Sequence, residues 1–185
     1  MKYMTALLYA ILPLAVAQAE ETVRVFPAAE LRAMEIRTEG GDIRVQGGDA
    51  QEIEVRIVKP DSTRCEITLE TEGRTLVLKA RSKSRWFRRS GCLAGFRVQA
   101  PKSLSLEAAS GSGDIRVTEL NCALDLKVGS GDIQLYDVIG NLTAKSGSGD
   151  LKGNMRSGRV QIKSGSGSIS LGGLSGSADV KAGSG

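Results

Sequence analysis

Apolar and polar residues alternate in short runs along the C-terminal half of the chain, and the pattern returns every 18 residues. A Gly-Ser-Gly corner marks each return, with its second glycine at Gly113, Gly131, Gly149, Gly167 and Gly185. Inside each repeat the apolar positions lie two residues apart, which is the period of a β-strand with one buried face. The pattern therefore predicts a turn, a short strand, a second turn and a second short strand in every repeat.

Aligning the repeats produces four apolar columns. The first strand contributes Ile115, Ile133, Leu151 and Ile169, with Val117, Leu135, Gly153 and Leu171; the second contributes Leu124, Leu142, Val160 and Ala178, with Leu126, Ala144, Ile162 and Val180. One repeat has too little surface to hold a core, so we expect the repeats to stack, with backbone pairing at about 4.8 Å. The predicted fold is all-β: a parallel β-solenoid (β-helix) with 18-residue coils, right-handed because parallel crossovers nearly always are.

Charged residues form columns with the same period. One column is basic and one is acidic: Lys127, Lys145, Lys163 and Lys181, and Asp114, Asp132 and Asp150. Stacked like charges repel, and we expect the two columns to offset each other across the corner that separates them. Glycine suits tight corners and close backbone approach. We therefore predict structural corners at Gly113, Asp114, Gly131, Asp132, Gly149, Asp150 and Gly167.

The N-terminal half carries one degenerate copy of the repeat. In "MEIRTEGGDIRV", Gly41 and Asp42 match the corner and Ile43 begins the strand. Between Ile53 and Leu106 the repeat is lost, and "CEITLETEGRTLVLKAR" predicts a hairpin that turns at Glu72-Gly73. We predict a single domain over residues 20–185, with a first coil and an irregular β cap in 20–105 and regular coils in 106–185.

The first nineteen residues predict a secretory signal peptide. Lys2 precedes an apolar run over residues 6–17, and small residues at Ala17-Gln18-Ala19 suit a cleavage site. The run is too short for a membrane span. We expect an exported protein, located in the periplasm, at the outer membrane or outside the cell.

The stretches "GGDIRV", "FRVQAPKSLSLEAASGSGDIRV" and "SGSGDLKG" resemble exported bacterial domains named putative adhesins, whose function is unknown. The resemblance covers roughly residues 23–185. It implies stacked β-solenoid coils and an interaction role, and it brings no catalytic residues.

Three cysteines would meet an oxidising compartment after export, where at most one intramolecular disulfide can form. We favour Cys65 with Cys92, because both lie in the non-repetitive region and flank its basic segment. Cys122 would then remain a free thiol.

The basic segment is "KARSKSRWFRR", residues 79–89, with six basic residues and no acid. Arginines beside aromatic rings suit an anionic lipid or glycan surface. The residues expected to make that contact are Arg85, Trp86, Phe87, Arg88 and Arg89. The alternative is a solvated hairpin end whose tryptophan packs on the cap. The excess of positive over negative charge comes from this segment alone, so a nucleic-acid-binding face is not expected.

Several kinds of chemistry are excluded or disfavoured. The chain contains no histidine, which excludes His-activated nucleophiles and HExxH zinc sites. The Gly-Ser-Gly corners lead into strands, whereas phosphate-binding loops lead into helices. Calcium-binding nonapeptides space glycine and aspartate differently, and one Asp per repeat supplies few of the six to eight oxygens calcium needs. No metal or cofactor is expected.

The favoured function is a non-catalytic envelope or surface interaction or scaffold protein whose partner is an unknown envelope component. The alternative is a β-helix carbohydrate-active enzyme that uses the stacked aspartates as paired carboxylates.

The last repeats have small residues in their core columns, Gly153 and Ala178, and uncovered strand edges favour pairing with other strands. We expect either that the natural chain continues or that the open coil self-associates or frays from residue 172 onward.

Overall fold

The computed structural model describes residues 22–58, 61, 63–83, 91–156 and 158–184. The predicted signal peptide, residues 84–90 with the C-terminal part of the basic segment, and Gly185 lie outside the described residues. The described part consists of sixteen β-strands and contains no helix, which confirms the all-β prediction. Consequently, no helix within these ranges is long and apolar enough to cross a membrane.

The strands follow one another along the chain with short connections. They are β1 (Thr22–Pro27), β2 (Ala33–Thr38), β3 (Ile43–Gly48), β4 (Glu52–Val58), β5 (Cys65–Glu72), β6 (Thr75–Ser82), β7 (Gly95–Pro101), β8 (Ser105–Ser110), β9 (Ile115–Thr118), β10 (Leu124–Ser130), β11 (Ile133–Ile139), β12 (Leu142–Ser148), β13 (Leu151–Arg156), β14 (Arg159–Ser166), β15 (Ile169–Gly172) and β16 (Ser177–Ser184).

The strands form two eight-stranded sheets. Sheet I has the order β1-β4-β7-β3-β9-β11-β13-β15, and sheet II has the order β16-β14-β12-β10-β8-β2-β6-β5. Both sheets are mixed: β4 runs antiparallel to β1 and β7 in sheet I, and β5 runs antiparallel to β6 in sheet II. The remaining pairs in both sheets are parallel. The architecture is therefore β-solenoid-like, with its antiparallel strands confined to the N-terminal half.

The regular half pairs in the register that the repeat predicts. Ile133 pairs with Leu151 in sheet I, and Leu124 pairs with Leu142 in sheet II, both in parallel. Partners stand 18 positions apart, so each apolar column is continuous across neighbouring strands. The inward side chains of both sheets join one hydrophobic cluster. Burying that cluster supplies the main driving force for stacking.

The sequence analysis did not predict that two strands of the N-terminal half join the parallel stack. Strands β6 and β7, which the sequence assigned to an irregular cap, pair in parallel with β2 and β3, and β8 and β9 pair on the opposite side. The copy of the repeat at β2–β3 is therefore inside the stack, not at its start. Residues 83–94 separate β6 from β7, whereas only residues 131–132 separate β10 from β11. This long insertion hides the repeat, although buried Leu78 and Phe96 occupy its apolar columns.

The predicted hairpin is confirmed. Strands β5 and β6 pair antiparallel from Cys65–Ser82 to Glu72–Thr75, and Gly73 takes a φ of +59° at the turn. The structure also joins Cys65 to Cys92 in a disulfide with Cα atoms 5.0 Å apart, which is the preferred pairing. The disulfide fixes the start of β5 to the segment before β7 and so closes a loop around the basic segment.

Burial decreases towards the last described strands. Val160 and Ile162 on β14 are buried, whereas every residue of β16 is exposed and Val180 keeps 49% of its surface accessible. Strand β16 pairs with β14 alone among the described strands. The last described strand, β16, thus contributes little to the core.

Candidate functional surfaces

The aspartate column forms a ladder of hydrogen bonds along the corners. Oδ1 of each aspartate accepts a bond from the backbone N–H of the equivalent residue in the adjacent repeat of the stack. The pairs are Asp42 with Asp114 at 3.1 Å, Asp114 with Asp132 at 2.9 Å, Asp132 with Asp150 at 2.8 Å, and Asp150 with Ser168 at 2.9 Å. A carboxylate that accepts a backbone N–H makes a strong, charge-assisted bond. The Asp of the repeated Gly-Ser-Gly-Asp therefore holds neighbouring repeats together.

The corner glycines are required by close backbone approach. A Cβ on Gly149 would meet the backbone carbonyl of Gly131, and Gly149 also takes a φ of +140°. A Cβ on Gly129 would meet the carbonyl of Gly111 in the same way. Both glycine columns therefore exclude side chains because the neighbouring repeat lies directly against them.

Small hydroxyl side chains close the inside of several corners. The hydroxyl of Thr38 donates to the carbonyl of Gly41 at 2.7 Å, and the hydroxyl of Ser110 donates to the same carbonyl at 3.2 Å. Ser110 also accepts the backbone N–H of Gly113 at 2.9 Å. These bonds satisfy buried polar groups where the chain turns from sheet II to sheet I.

The aspartates pair with different cations from those the sequence predicts. Asp150 forms an ion pair with Lys152 at 2.6 Å, and Asp42 lies 3.4 Å from Arg44. In both pairs the basic residue follows its aspartate by two positions in the chain. Lys127 instead pairs with Glu107 and Asp125, which lie on sheet II. The expected compensation between the Lys and Asp columns across the corner is therefore wrong. Side chains two residues apart share one face of a strand, which brings them closer than residues on opposite sides of a corner.

Within the aspartate ladder, the surroundings of Asp150 favour the charged carboxylate. The side chain of Lys152 lowers the pKa of Asp150, and the backbone N–H of Ser168 lowers it further. A general acid needs the opposite shift, towards neutral pH. Among the described residues, no group of three or more Asp, Glu, Cys or His side chains lies in an arrangement that could hold a metal ion.

The lysine column lies on the outer face of sheet II. Lys127, Lys145 and Lys163 are in register on β10, β12 and β14. No ion pair within the described ranges involves Lys145 or Lys163, which line one groove with Thr143, Gln161 and Asp179. These two lysines therefore present positive charge towards solvent, whereas Lys127 and Lys181 at the ends of the column pair with carboxylates of sheet II.

A second basic surface lies on sheet I and was missed by the sequence analysis. Arg56, Arg97, Arg44 and Arg116 lie in register on the adjacent strands β4, β7, β3 and β9, and we name them the arginine row. The signal that could have revealed it is "DIRV", which occurs at the two corners of residues 42–45 and 114–117. Strands β4 and β7 have no such signal, so their arginines join the row only through tertiary pairing.

The remaining thiol belongs to Cys122, which is partly buried. Burial raises the pKa of this thiol to about 11, against the opposing effect of a hydrogen bond with the backbone of Leu106. Reactive cysteines require a lowered pKa. The geometry of Cys122 is that of a packing residue.

Comparison with known proteins starts from the sequence. Residues 31–185 match the model of the DUF4097 family, described as Toastrack. The chain belongs to this family. No curated protein matches the chain. The range matched to the Toastrack family includes the β2–β3 repeat and the aspartate ladder.

Comparison with solved structures gives matches at low sequence identity, one of them with a TM-score above 0.5. A putative cell adhesion protein from Clostridium sporogenes has 10% identity and a TM-score of 0.54, with coverage of 91% of this chain and 100% of that one. A putative adhesin from Bacteroides fragilis has 15% identity and a TM-score of 0.38, covering 89% and 98%. A putative lipid binding protein from Parabacteroides distasonis has 14% identity and a TM-score of 0.41, covering 89% and 95%. At such identities the first of these supports the Toastrack fold alone.

Proposed function

We propose that the protein is a non-catalytic, exported interaction or scaffold protein of the cell envelope or surface. The observation that carries this proposal is the aspartate ladder: the acidic column, which is the best candidate for catalysis, is used to join repeats. Oδ1 of Asp114, Asp132 and Asp150 each accept a backbone N–H, and the pKa of Asp150 is lowered. The outer faces also carry basic residues in register, which are the lysine column of sheet II and the arginine row of sheet I, and such residues suit binding.

The rival function is a carbohydrate-active enzyme that uses the same aspartates. Replacing Asp114, Asp132 and Asp150 together by Asn distinguishes the two. For an interaction protein, the variant retains binding and loses only stability, since the amide oxygen can still accept the N–H bond. Polysaccharide turnover by the wild-type protein that is lost in a folded triple variant would contradict the proposal. Circular dichroism and the urea midpoint establish that the variant is folded.

Export follows from the predicted signal peptide. Expression of the chain with and without residues 1–19, followed by fractionation into cytoplasm, periplasm, outer membrane and medium, tests it. We expect the full chain in one of the last three fractions and the truncated chain in the cytoplasm. Equal cytoplasmic retention of both would contradict export.

A second experiment tests the interaction role. Immobilised mature protein should retain components from envelope fractions of its own organism and not from cytoplasmic fractions.

The basic segment is a candidate for attachment to anionic surfaces. Arg85, Trp86, Phe87, Arg88 and Arg89 lie outside the described residues, within the loop that the disulfide of Cys65 and Cys92 closes. We expect weak binding to anionic vesicles or lipopolysaccharide that salt suppresses, because charges are screened over about 10 Å at 0.1 M ionic strength. Replacing the three arginines by Ala should abolish it. Equal binding by the variant and the wild type would favour the solvated hairpin end.

The finer architecture is part of the same proposal. We expect the repeats to wind as 18-residue coils of a right-handed solenoid, because parallel crossovers within one sheet are nearly always right-handed. The exposed strand β16 and its Val180 favour self-association through the last coil. An experimental structure fixes the handedness, and light scattering of the mature protein over a concentration series tests the self-association. A left-handed winding, or a monomer at every concentration, would contradict the respective expectation.

A further inference from the structure

Strand β16 forms one edge of sheet II and carries one side chain of each charge. It pairs in parallel with β14, and among the described strands it has no partner on its other side, which we name the open edge. A strand edge presents N–H and C=O groups to which another strand can pair, and natural edges often prevent this with proline or with charge. The sequence of β16, SADVKAGS, contains no proline and has no net charge. Strand addition is therefore not blocked at this edge.

The backbone groups of Val180 face the open edge. Ser177 donates its N–H to the carbonyl of Gly158, on the side of β14, at 3.1 Å. Successive residues of a strand direct their backbone groups alternately to its two sides. Every second residue from Ser177 therefore bonds towards β14, and the residues between them present their N–H and C=O groups to the open edge: Ala178, Val180 and Ala182.

Asp179 and Lys181 lie symmetrically on either side of Val180. Both side chains are well exposed, with 60% and 67% of their surface accessible, and share one face of the strand. If two copies of β16 pair antiparallel with Val180 opposite Val180, each Asp179 lies opposite the Lys181 of the other copy. Opposite charges at such positions stabilise a sheet, whereas parallel pairing in the same register would place like charges opposite each other. The edge is thus complementary to itself in the antiparallel arrangement alone.

The same arrangement covers the apolar end of the core. Val180 keeps 49% of its surface accessible, whereas Ile162, its neighbour in register on β14, is buried. Ile169 and Leu171 on β15, at the same end of the stack, are only partly buried against the core. Pairing of the two β16 strands would place Val180 against Val180 and would remove apolar surface from water, which favours association.

The opposite end of the stack is a poorer partner for β16. Its edge strand in sheet II is β5, whose residues Glu66, Glu70 and Glu72 share one face. Glu66 is already paired with Arg81 at 2.9 Å. This acidic row would attract Lys181 but repel Asp179. A contact between opposite ends also does not close and leads to filaments, whereas a two-fold contact closes as a dimer.

We propose that two copies of the chain form a two-fold symmetric dimer, in which the β16 strands pair antiparallel about Val180 and join the two sheets II into one. This inference rests on the proposed function, since it specifies the partner, arrangement and register of the expected self-association. In such a dimer the outer faces of both sheets II lie on the same side. A large partner that binds this face is then held by both copies, which raises its apparent affinity.

The first test measures the dimer dissociation constant of the mature protein by sedimentation velocity over a concentration series. We expect monomers and dimers and no larger species. Asp179→Lys or Lys181→Asp alone places like charges opposite each other at two points, and each should weaken the dimer by about tenfold or more, which corresponds to about 1.4 kcal/mol. The double variant Asp179→Lys, Lys181→Asp should return to within about threefold of wild type, because it restores both opposite pairs. An equimolar mixture of the two single variants should form mixed dimers for the same reason.

The matched controls make the same changes inside sheet II. Asp125 and Lys127 hold the equivalent repeat positions on β10, which pairs with β8 and β12 and has no open edge. Asp125→Lys and Lys127→Asp should each dimerise within about twofold of wild type, as expected for distant, independent sites. Equal losses in the two sets of variants would mean diffuse charge effects and would overturn the inference. Circular dichroism and urea midpoints establish that all variants are folded.

Cross-linking tests the register independently of charge. Val180→Cys should form a disulfide between copies on mild oxidation, because opposite residues of a hydrogen-bonded antiparallel pair have Cα atoms about 5.5 Å apart, within the range for a disulfide. Ala182→Cys alone should not form this link, whereas its mixture with Ala178→Cys should. Peptide mapping by mass spectrometry identifies the linked residues. Linking of Ala182→Cys to itself would show parallel pairing and would overturn the inference.

The remaining outcomes separate this inference from the proposed function. Wild-type filaments that lengthen with concentration, or a monomer at every concentration, would overturn the two-fold dimer. Neither result concerns capture of envelope components, which is measured with the same preparations after immobilisation. A wild type that dimerises as described but retains no envelope component would contradict the proposed function and leave the dimer standing.

Discussion

Oδ1 of Asp132 lies 2.8 Å from the backbone nitrogen of Asp150, which holds the same position one repeat of 18 residues later. Asp132 itself donates its N–H to Asp114. Asp114, Asp132 and Asp150 are thus each both a donor and an acceptor, and the ladder runs from Asp42, whose carboxylate accepts, to Ser168, whose N–H donates. The repeated Gly-Ser-Gly-Asp is therefore explained by contacts between repeats, where glycine allows the backbones to approach and aspartate ties them together.

Replacing Asp132 by Ala should remove one bond of this ladder. We expect the free energy of unfolding to fall by about 1 to 2 kcal/mol, since the N–H of Asp150 loses a charged acceptor. Urea denaturation measures the loss. Asp132→Asn, which keeps an acceptor oxygen, should lose less than half as much, and an equal loss in both variants would show that charge, and not the hydrogen bond, is what matters.

Replacing Gly149 by Ala should be more harmful. The new Cβ meets the carbonyl of Gly131, and the φ of +140° is strained for any residue with a side chain. We expect a loss of about 1 to 3 kcal/mol or more. Gly48→Ala is the control, because a Cβ on Gly48 would lie at an ordinary contact distance of 4.0 Å from the backbone nitrogen of Ala50; it should stay within about 0.5 kcal/mol of wild type. Similar midpoints for the two variants would contradict the close-approach explanation.

Acid should destabilise the fold through carboxylates whose pKa values are lowered. Lys152 lowers the pKa of Asp150 below its ordinary value of 3.8, and Arg81 lowers that of Glu66 below 4.5. A carboxyl group with a lowered folded-state pKa contributes stability above its ordinary pKa, and this contribution is lost as the pH falls through the folded-state value. Urea midpoints should therefore change little between pH 7 and pH 5 on account of these groups and fall below about pH 4.

A variant separates the contribution of one pair. Lys152→Gln removes the main cause of the lowered pKa of Asp150, so the acid dependence of its midpoint should be shallower than that of wild type. An unchanged acid dependence would mean that the pair with Lys152 does not lower this pKa in solution.

The thiol of Cys122 should react slowly in the folded protein. Its pKa is raised to about 11 by burial, so little thiolate is present at pH 8. Iodoacetamide at pH 8 should label the unfolded protein in urea much faster than the native protein. Mass spectrometry without reductant identifies the labelled residue, with Cys65 and Cys92 protected by their disulfide. Rapid native labelling would show that the thiol is accessible.

Amide exchange should follow the position of each strand in the stack. Strand β12 pairs with β10 and β14, whereas β16 pairs with β14 alone within the described chain and all of its residues are exposed. We expect slow exchange in β12 and fast exchange in β16, because an amide is protected from exchange only while the strands that pair with it stay folded. Protection in β16 equal to that in β12, at a concentration where the protein is monomeric, would contradict the prediction of a frayed last strand.

The sequence alone determined the regular half of the molecule. Leu124 and Leu142, or Ile133 and Leu151, stand 18 positions apart and pair in parallel. Local alternation predicted the strands, and the fixed period predicted which strands pair, because stacking equivalent residues is the arrangement that buries all columns at once. The hairpin at Gly73 and the pairing of Cys65 with Cys92 also followed from local turn signals and from position.

Only the tertiary structure decided what happens where the period is broken. The insertion between β6 and β7 removes the regular spacing, so nothing in the sequence shows that Phe96 lies beside Ile43, or that Arg97 joins Arg44 and Arg56 in one row. The sequence likewise did not determine the partners of the charged side chains. Lys152 pairs with Asp150, two residues earlier in the chain, whereas Lys127 pairs with Glu107 on the adjacent strand of sheet II. The physical reason is that a periodic pattern encodes contacts between equivalent positions, while contacts between unlike segments depend on the packing of the whole chain.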